Sequence, residues 1–193
     1  EEAKKKFTKA IWDSHQEDID PLLYLNRAEV EESLGNIERA KEDRKRASDE
    51  IKNKKYMPYW QNGCENIKDK NFEAAINDFN KVIEIDPYHD SAYHQKAEAL
   101  QQLRDYQGAI DVYSDCLKLI PNDAFTFYSR GAVHQHLEDY SDAIHDFNKA
   151  ICIAENDNMD SVGHETTASF YGARADTKHQ LKDYQGAIED FSK

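Results

Sequence analysis

Asp105-Tyr-Gln-Gly-Ala-Ile110 returns letter for letter as Asp183-Tyr-Gln-Gly-Ala-Ile188. Between them stands Asp139-Tyr-Ser-Asp-Ala-Ile144, and before them Asn71-Phe-Glu-Ala-Ala-Ile76. A worn copy, Asn36-Ile-Glu-Arg-Ala40, comes earlier. The rings of Phe72, Tyr106 and Tyr140 are each 34 residues apart. A fixed period of this length means a stack of like units, each burying its apolar face only against its neighbours.

Moving outward from the ring, the residue before it is Asn36, Asn71, Asp105, Asp139 or Asp183. These are good helix N-caps, so a helix is expected to start at each ring. Three, seven and ten residues after the ring come Ala75, Phe79 and Val82, then Ala109, Tyr113 and Cys116, then Ala143, Phe147 and Ala150. That spacing puts small, large and small side chains on one helical face. Thirteen residues before the ring stand Tyr24, Tyr59, Tyr93, Phe127 and Tyr171, and nine before it Ala28, Gly63, Ala97, Gly131 and Ala175. These share a face of a preceding helix. Small residues let two backbones approach and rings fill the space beside them, so each unit reads as an antiparallel helix pair. Pro87 and Pro121 are placed to stop the second helix.

This pattern resembles the tetratricopeptide repeat family. The resemblance rests on the ring and small-residue pair of the first helix, the Asp-Tyr-x-x-Ala-Ile start of the second, and its closing proline. It implies an all-α fold, a right-handed superhelical solenoid of antiparallel helix pairs with a concave inner groove. The expected organisation is a second helix of a truncated repeat at 1–16 and a degenerate repeat at 20–54. Repeats follow at 56–89, 90–123 and 124–167, the last with an inserted loop at about 155–164. A repeat truncated in its second helix covers 168–193. Rings without a cap at both ends, Phe7 and Phe191, suggest a segment of a longer solenoid or larger assembly.

The 193 residues carry 25 basic and 38 acidic side chains, a net charge of -13. That balance argues against nucleic acid, which needs Lys and Arg to displace counterions, and against an anionic membrane. It favours a neutral to basic protein or peptide partner. Three cysteines without Cys-x-x-Cys spacing read as reduced thiols in the cytoplasm or another reducing compartment. The sequence has no catalytic motif, no phosphate-cradling glycine loop and no His-Glu-x-x-His, so no enzyme, metal or cofactor is expected. His134 and His136 are two apart and point to different sides of a helix.

Function is therefore expected on the inner face of the first helices. Rotating about 100° from the buried stripe selects the residues 15, 12, 8, 5 and 4 before each ring. These include Met57, Trp60, Cys64 and Lys68, then His94, Glu98, Gln101 and Gln102. Phe125, Tyr128, Gln135 and His136 follow, then Ser169, Asp176, His179 and Gln180. Trp60, Cys64, His94, Gln95, Glu98, Phe125, Tyr128, Gln135, His136 and His179 are the candidate peptide-groove residues. Aromatic anchors bury large area at low entropy cost, and amides and imidazoles can bond an extended backbone.

The family resemblance also implies a possible two-carboxylate clamp, which needs Lys and Asn, then Asn, then Lys and Arg in successive first helices. Asn26 matches the middle place, but Met57 and Gln61 follow it. Starting one unit later puts Leu25 and Glu29 at the first places. Trp60 and Cys64 lead to Gln95, Phe125 and Ser129, and His94 and Glu98 to Ser129, Ser169 and Ala173. No register supplies the charges, and an unpaired carboxylate is costly to desolvate. A non-catalytic interaction module is the leading expectation. A scaffold in a multi-subunit assembly, or a regulatory arm of a larger enzyme-containing chain, is the alternative.

Overall fold

The computed structural model describes residues 2–13, 20–156 and 164–193. Among them are ten helices and no strand: α1 (Glu2–Asp13), α2 (Pro21–Ser33), α3 (Ile37–Lys68), α4 (Phe72–Ile85), α5 (Asp90–Gln102), α6 (Tyr106–Leu119), α7 (Ala124–His136), α8 (Tyr140–Asn156), α9 (His164–Gln180) and α10 (Tyr184–Phe191). The fold is all-α and built from helix pairs, as the repeat requires. The chain divides into two compact units, Glu1–Pro58 and Tyr59–Lys193.

In the first unit α1 packs on α2. Asp20 caps α2 by accepting from the Leu22 N–H at 3.0 Å, and Pro21 takes the first helical position, where its missing N–H costs nothing. Tyr24, Arg27, Ala28 and Glu31 form the buried face of α2, with Ala40, Asp43 and Ala47 buried on α3. Arg44 stands where other repeats carry a ring. It is exposed and bonded to Glu32 at 2.5 Å, so the basic run 44–46 is a solvated, salt-bridged face.

The expected break between 54 and 56 is absent. α3 runs unbroken from Ile37 to Lys68, with Pro58 inside it. Lys, Asn and Glu are tolerated or favoured in helices, and nothing at 50–56 caps or stops one. Pro58 removes one backbone donor without ending the helix.

In the second unit each helix packs on the next from α4 to α10. The small-large-small face is buried as read: Ala75, Phe79 and Val82, then Ala109, Tyr113 and Cys116, then Ala143, Phe147 and Ala150. Tyr93 and Ala97 are buried too. Gly63 and Gly131 show why this column must be small. A Cβ at Gly63 would lie 2.7 Å from the Phe79 ring, and one at Gly131 2.9 Å from that of Phe147. Burying such a phenylalanine contributes about 2–3 kcal/mol.

Two expectations differ in detail. Asn71 makes no side-chain cap bond, whereas Asp105 and Asp183 accept from the Gly108 and Gly186 N–H at 2.9 and 3.0 Å. The Tyr59 ring is 38% exposed, unlike Tyr93 in the same column. Of the loop expected at about 155–164, residues 157–163 lie outside the described residues; α8 runs to Asn156 and α9 starts at His164. Both prolines act as read: α4 ends at Ile85 before Pro87, and α6 at Leu119 before Pro121.

Candidate functional site: the first-helix face

The candidate groove residues divide by depth. Those twelve positions before each ring are half-buried, because this column rests on the large ring of the second helix. Trp60 lies 5.5 Å from Phe79 and 4.9 Å from His89. His94 meets Tyr113 edge-on at 5.4 Å. Tyr128 lies 5.8 Å from Phe147 and 5.0 Å from Phe170. These rings join neighbouring helices, and each keeps part of its surface open.

His94 is also held by polar partners. Its Nε2 lies 2.9 Å from Thr126 Oγ1 and 3.8 Å from Asp123 Oδ2. The Thr126 hydroxyl donates to Asp123, which also caps α7 through the Phe125 N–H at 3.0 Å. Burial pushes the Asp123 carboxyl up, but the bonds from His94 and Thr126 more than offset it, leaving its pKa below the usual value. Thr126 is fully buried and its proton is committed to Asp123, so this chain links repeats and presents no nucleophile.

The outer layer is open. Phe125 is 48% exposed and meets Phe170 edge-on at 5.8 Å. Glu98, His136 and His179 are exposed; His136 lies 4.4 Å from the Tyr106 ring and His179 5.5 Å from Tyr184. Gln95 and Gln135 are half-buried. Cys64 is half-buried as well, and burial pushes its thiol up, away from reactivity. Among the described residues no group of three or more His, Cys, Asp or Glu is placed to hold a metal ion. No described helix is long and apolar enough to cross a membrane.

Two features escaped the sequence reading. Phe170, fully buried, is the base on which Phe125 and Tyr128 sit. Its column reads Ala92, Thr126, Phe170, so its size is private to one repeat. The second is a repeated ion pair. Arg27, Arg130 and Arg174 bond Asp43, Asp146 and Asp190, always sixteen residues on. Each guanidinium also lies over the ring three residues before it: Tyr24, Phe127 and Tyr171, at 5.7, 5.7 and 5.2 Å. The recurring separation of Arg and Asp would have shown it. A cleft of about 490 Å³ between Pro121, Phe127 and the Lys149, Cys152 and Ile153 side of α8 contains none of the candidate groove residues.

Comparison with known proteins places this geometry. A tetratricopeptide repeat family model matches residues 59–89 and 90–123. No curated protein sequence matches the chain. Among solved structures, MamA residues 41 to end from Desulfovibrio magneticus RS-1 aligns with a TM-score of 0.57 at 21% identity, covering 91% of this chain and 93% of that one. YrrB, described as a TPR protein with an unusual peptide-binding site, aligns at 0.53 and 21% identity, covering 97% and 90%. The TPR2B domain of yeast Sti1 in complex with pHsp70 aligns at 0.56 and 17%, covering 65% and 98%. At these identities the likeness is one of fold, and it agrees with the tetratricopeptide repeat match at residues 59–123.

Proposed function

We propose that the second unit is a non-catalytic protein-binding module. Its first helices α5, α7 and α9 hold an extended segment of a partner protein. The observation that carries this is Phe125, nearly half exposed yet seated on a fully buried Phe170, with Tyr128 beside it. A rigid, open aromatic on a helix is an efficient anchor, because little freedom is lost when it is covered. The exposed His136 and the half-buried Gln95 and Gln135 supply backbone-bonding groups around it. The solved relatives include one complex with a chaperone peptide and one described by its peptide-binding site, which supports a peptide as the occupant.

The binding is not through a two-carboxylate clamp. The positions that would need Lys or Arg hold Trp60, Phe125 and Ser129 in one register and His94, Ser169 and Ala173 in the next. Glu98, at a place that needs Asn, would set a like charge against a terminal carboxylate. The test is a footprint. Peptides selected from a random library by the purified chain are added to labelled protein and amide shifts are mapped. Shifts on α5, α7 and α9, abolished by Phe125→Ala, support the reading. Shifts confined to α4, α6 and α8, or to the Pro121–Lys149–Cys152 cleft, overturn it.

A further inference from the structure

The face just described carries an uncompensated charge pattern. Glu98 on α5, Ala132 on α7 and Asp176 on α9 occupy the same place in three successive repeats, eight residues before the ring. Glu98 and Asp176 are exposed, and among the described residues neither is joined to a Lys, Arg or His. The cations close in sequence are committed elsewhere: Arg174 and Lys178 both pair with Asp190, and Lys96 is half-buried. Between the two acids, one turn toward the helix N-termini, lies the Phe125–Tyr128 shelf.

The three first helices meet through their side chains. His94 of α5 bonds Thr126 of α7, and Phe125 and Tyr128 of α7 rest on Phe170 of α9. Packed helices lie about 8–10 Å apart, so Glu98 and Asp176, two helices apart, are separated by roughly 20 Å. An extended chain rises about 3.3 Å per residue, so about six residues span that gap.

Resting on the groove reading above, we propose that the occupant is an internal, extended segment with two Lys or Arg side chains about six residues apart and an apolar residue between them. The two cations pair with Glu98 and Asp176, and the apolar side chain covers Phe125. Opposite charges at both ends fix the register of the segment, and like charges there reject acidic segments. The net charge of -13 steers such a segment toward the protein.

The test uses the 193-residue chain and a random twelve-residue library displayed with its C-terminus fused, so that no free carboxylate is presented. Enriched peptides are expected to carry paired Lys or Arg at that spacing, with binding that weakens as salt rises. Glu98→Gln with Asp176→Asn should weaken them about fivefold, as expected for two exposed ion pairs. Replacing both basic residues of the peptide by Gln should erase the difference between wild type and variant. Enrichment of neutral or acidic peptides that still need Phe125, or an unchanged affinity in the double variant, overturns the charge pairing and leaves the groove reading standing. Enriched peptides indifferent to both Phe125→Ala and the double variant, or no enrichment, overturn both.

Discussion

Arg130 grips Asp146 through two hydrogen bonds, Nε to Oδ2 at 2.7 Å and Nη2 to Oδ1 at 2.8 Å. Its third arm, Nη1, reaches back to Ser114 of the preceding repeat at 2.9 Å. Arg174 does the same, bonding Asp190 in its own pair and Asn148 behind it at 2.6 Å. One guanidinium thus ties three helices, which a Lys with its single point charge could not do in this planar geometry. Asp146 is nearly fully buried, so removing it strands a cation whose alternatives are few. Asp146→Ala is expected to cost about 2–4 kcal/mol. Replacing both partners by apolar residues of like size should cost much less, since no charge is then left unpaired. Urea unfolding of the two variants checks the contrast; equal losses in both would refute it.

The same device gives the protein an acid limit. Burial pushes the Asp190 carboxyl up, but Arg174 and Lys178 outweigh it and hold its pKa below the usual aspartate value. Asp123 is depressed as well, against burial, by His94 and Thr126. A carboxyl with a folded pKa below its unfolded value of about 3.9 stabilises the fold fully above that value. The contribution is lost as pH falls through the lower, folded pKa. Thermal stability should therefore drop from about pH 4 downward. Asp190→Asn should lower stability at neutral pH and flatten that acid drop. Melts recorded at a series of pH values would show whether the slope changes.

The repeat period, the faces of the helix pairs and the stopping prolines were all legible in the sequence, because each depends on residues close together in the chain. The rings at 72, 106 and 140 each stand at the start of a helix, and Ala109, Tyr113 and Cys116 share a face by arithmetic alone. The candidate site was legible only in part. A rotation round the helix selects Trp60, His94 and Tyr128, but how far each ring sinks depends on its neighbours in space. Phe170 lifts Phe125 into solvent, while Phe79 and His89 draw Trp60 inward. The repeat boundary near 54–56 leaves no mark on the backbone for a related reason: a helix ends at a cap or a stop, and neither stands there.

Gly131 tests the close approach inside one pair. Its missing Cβ would stand 2.9 Å from Phe147 and 3.2 Å from the Cβ of Asp146. Gly131→Leu should overpack this contact and cost about 1–3 kcal/mol. Tyr140 is only half-buried, so Tyr140→Ala should cost about 1–2 kcal/mol, below the value for a fully buried ring. Denaturation midpoints that leave Gly131→Leu unchanged would remove the close approach from the packing scheme.

The turn joining the two helices of each pair offers a gain instead of a loss. Lys70, Arg104, Glu138 and Lys182 have φ of 60°, 61°, 63° and 64°, the left-handed region, and Gly35 holds the matching place with φ 81°. Each turn is closed the same way: the Asp139 N–H bonds the His134 carbonyl at 2.9 Å and the Glu138 N–H that of Gln135 at 3.1 Å. These bonds require the left-handed residue, and only glycine occupies it without strain. A side chain there costs about 1–2 kcal/mol, partly offset by the greater freedom a glycine has in the unfolded chain. Glu138→Gly should therefore raise stability by about 0.5–1 kcal/mol. The Glu138 side chain is exposed and forms no ion pair among the described residues, so little is lost with it. A matched pair, Glu138→Gly and Glu138→Ala, isolates the backbone effect, since both remove the same carboxylate. The glycine variant should melt higher than the alanine variant, and the reverse order would show that the turn carries no strain.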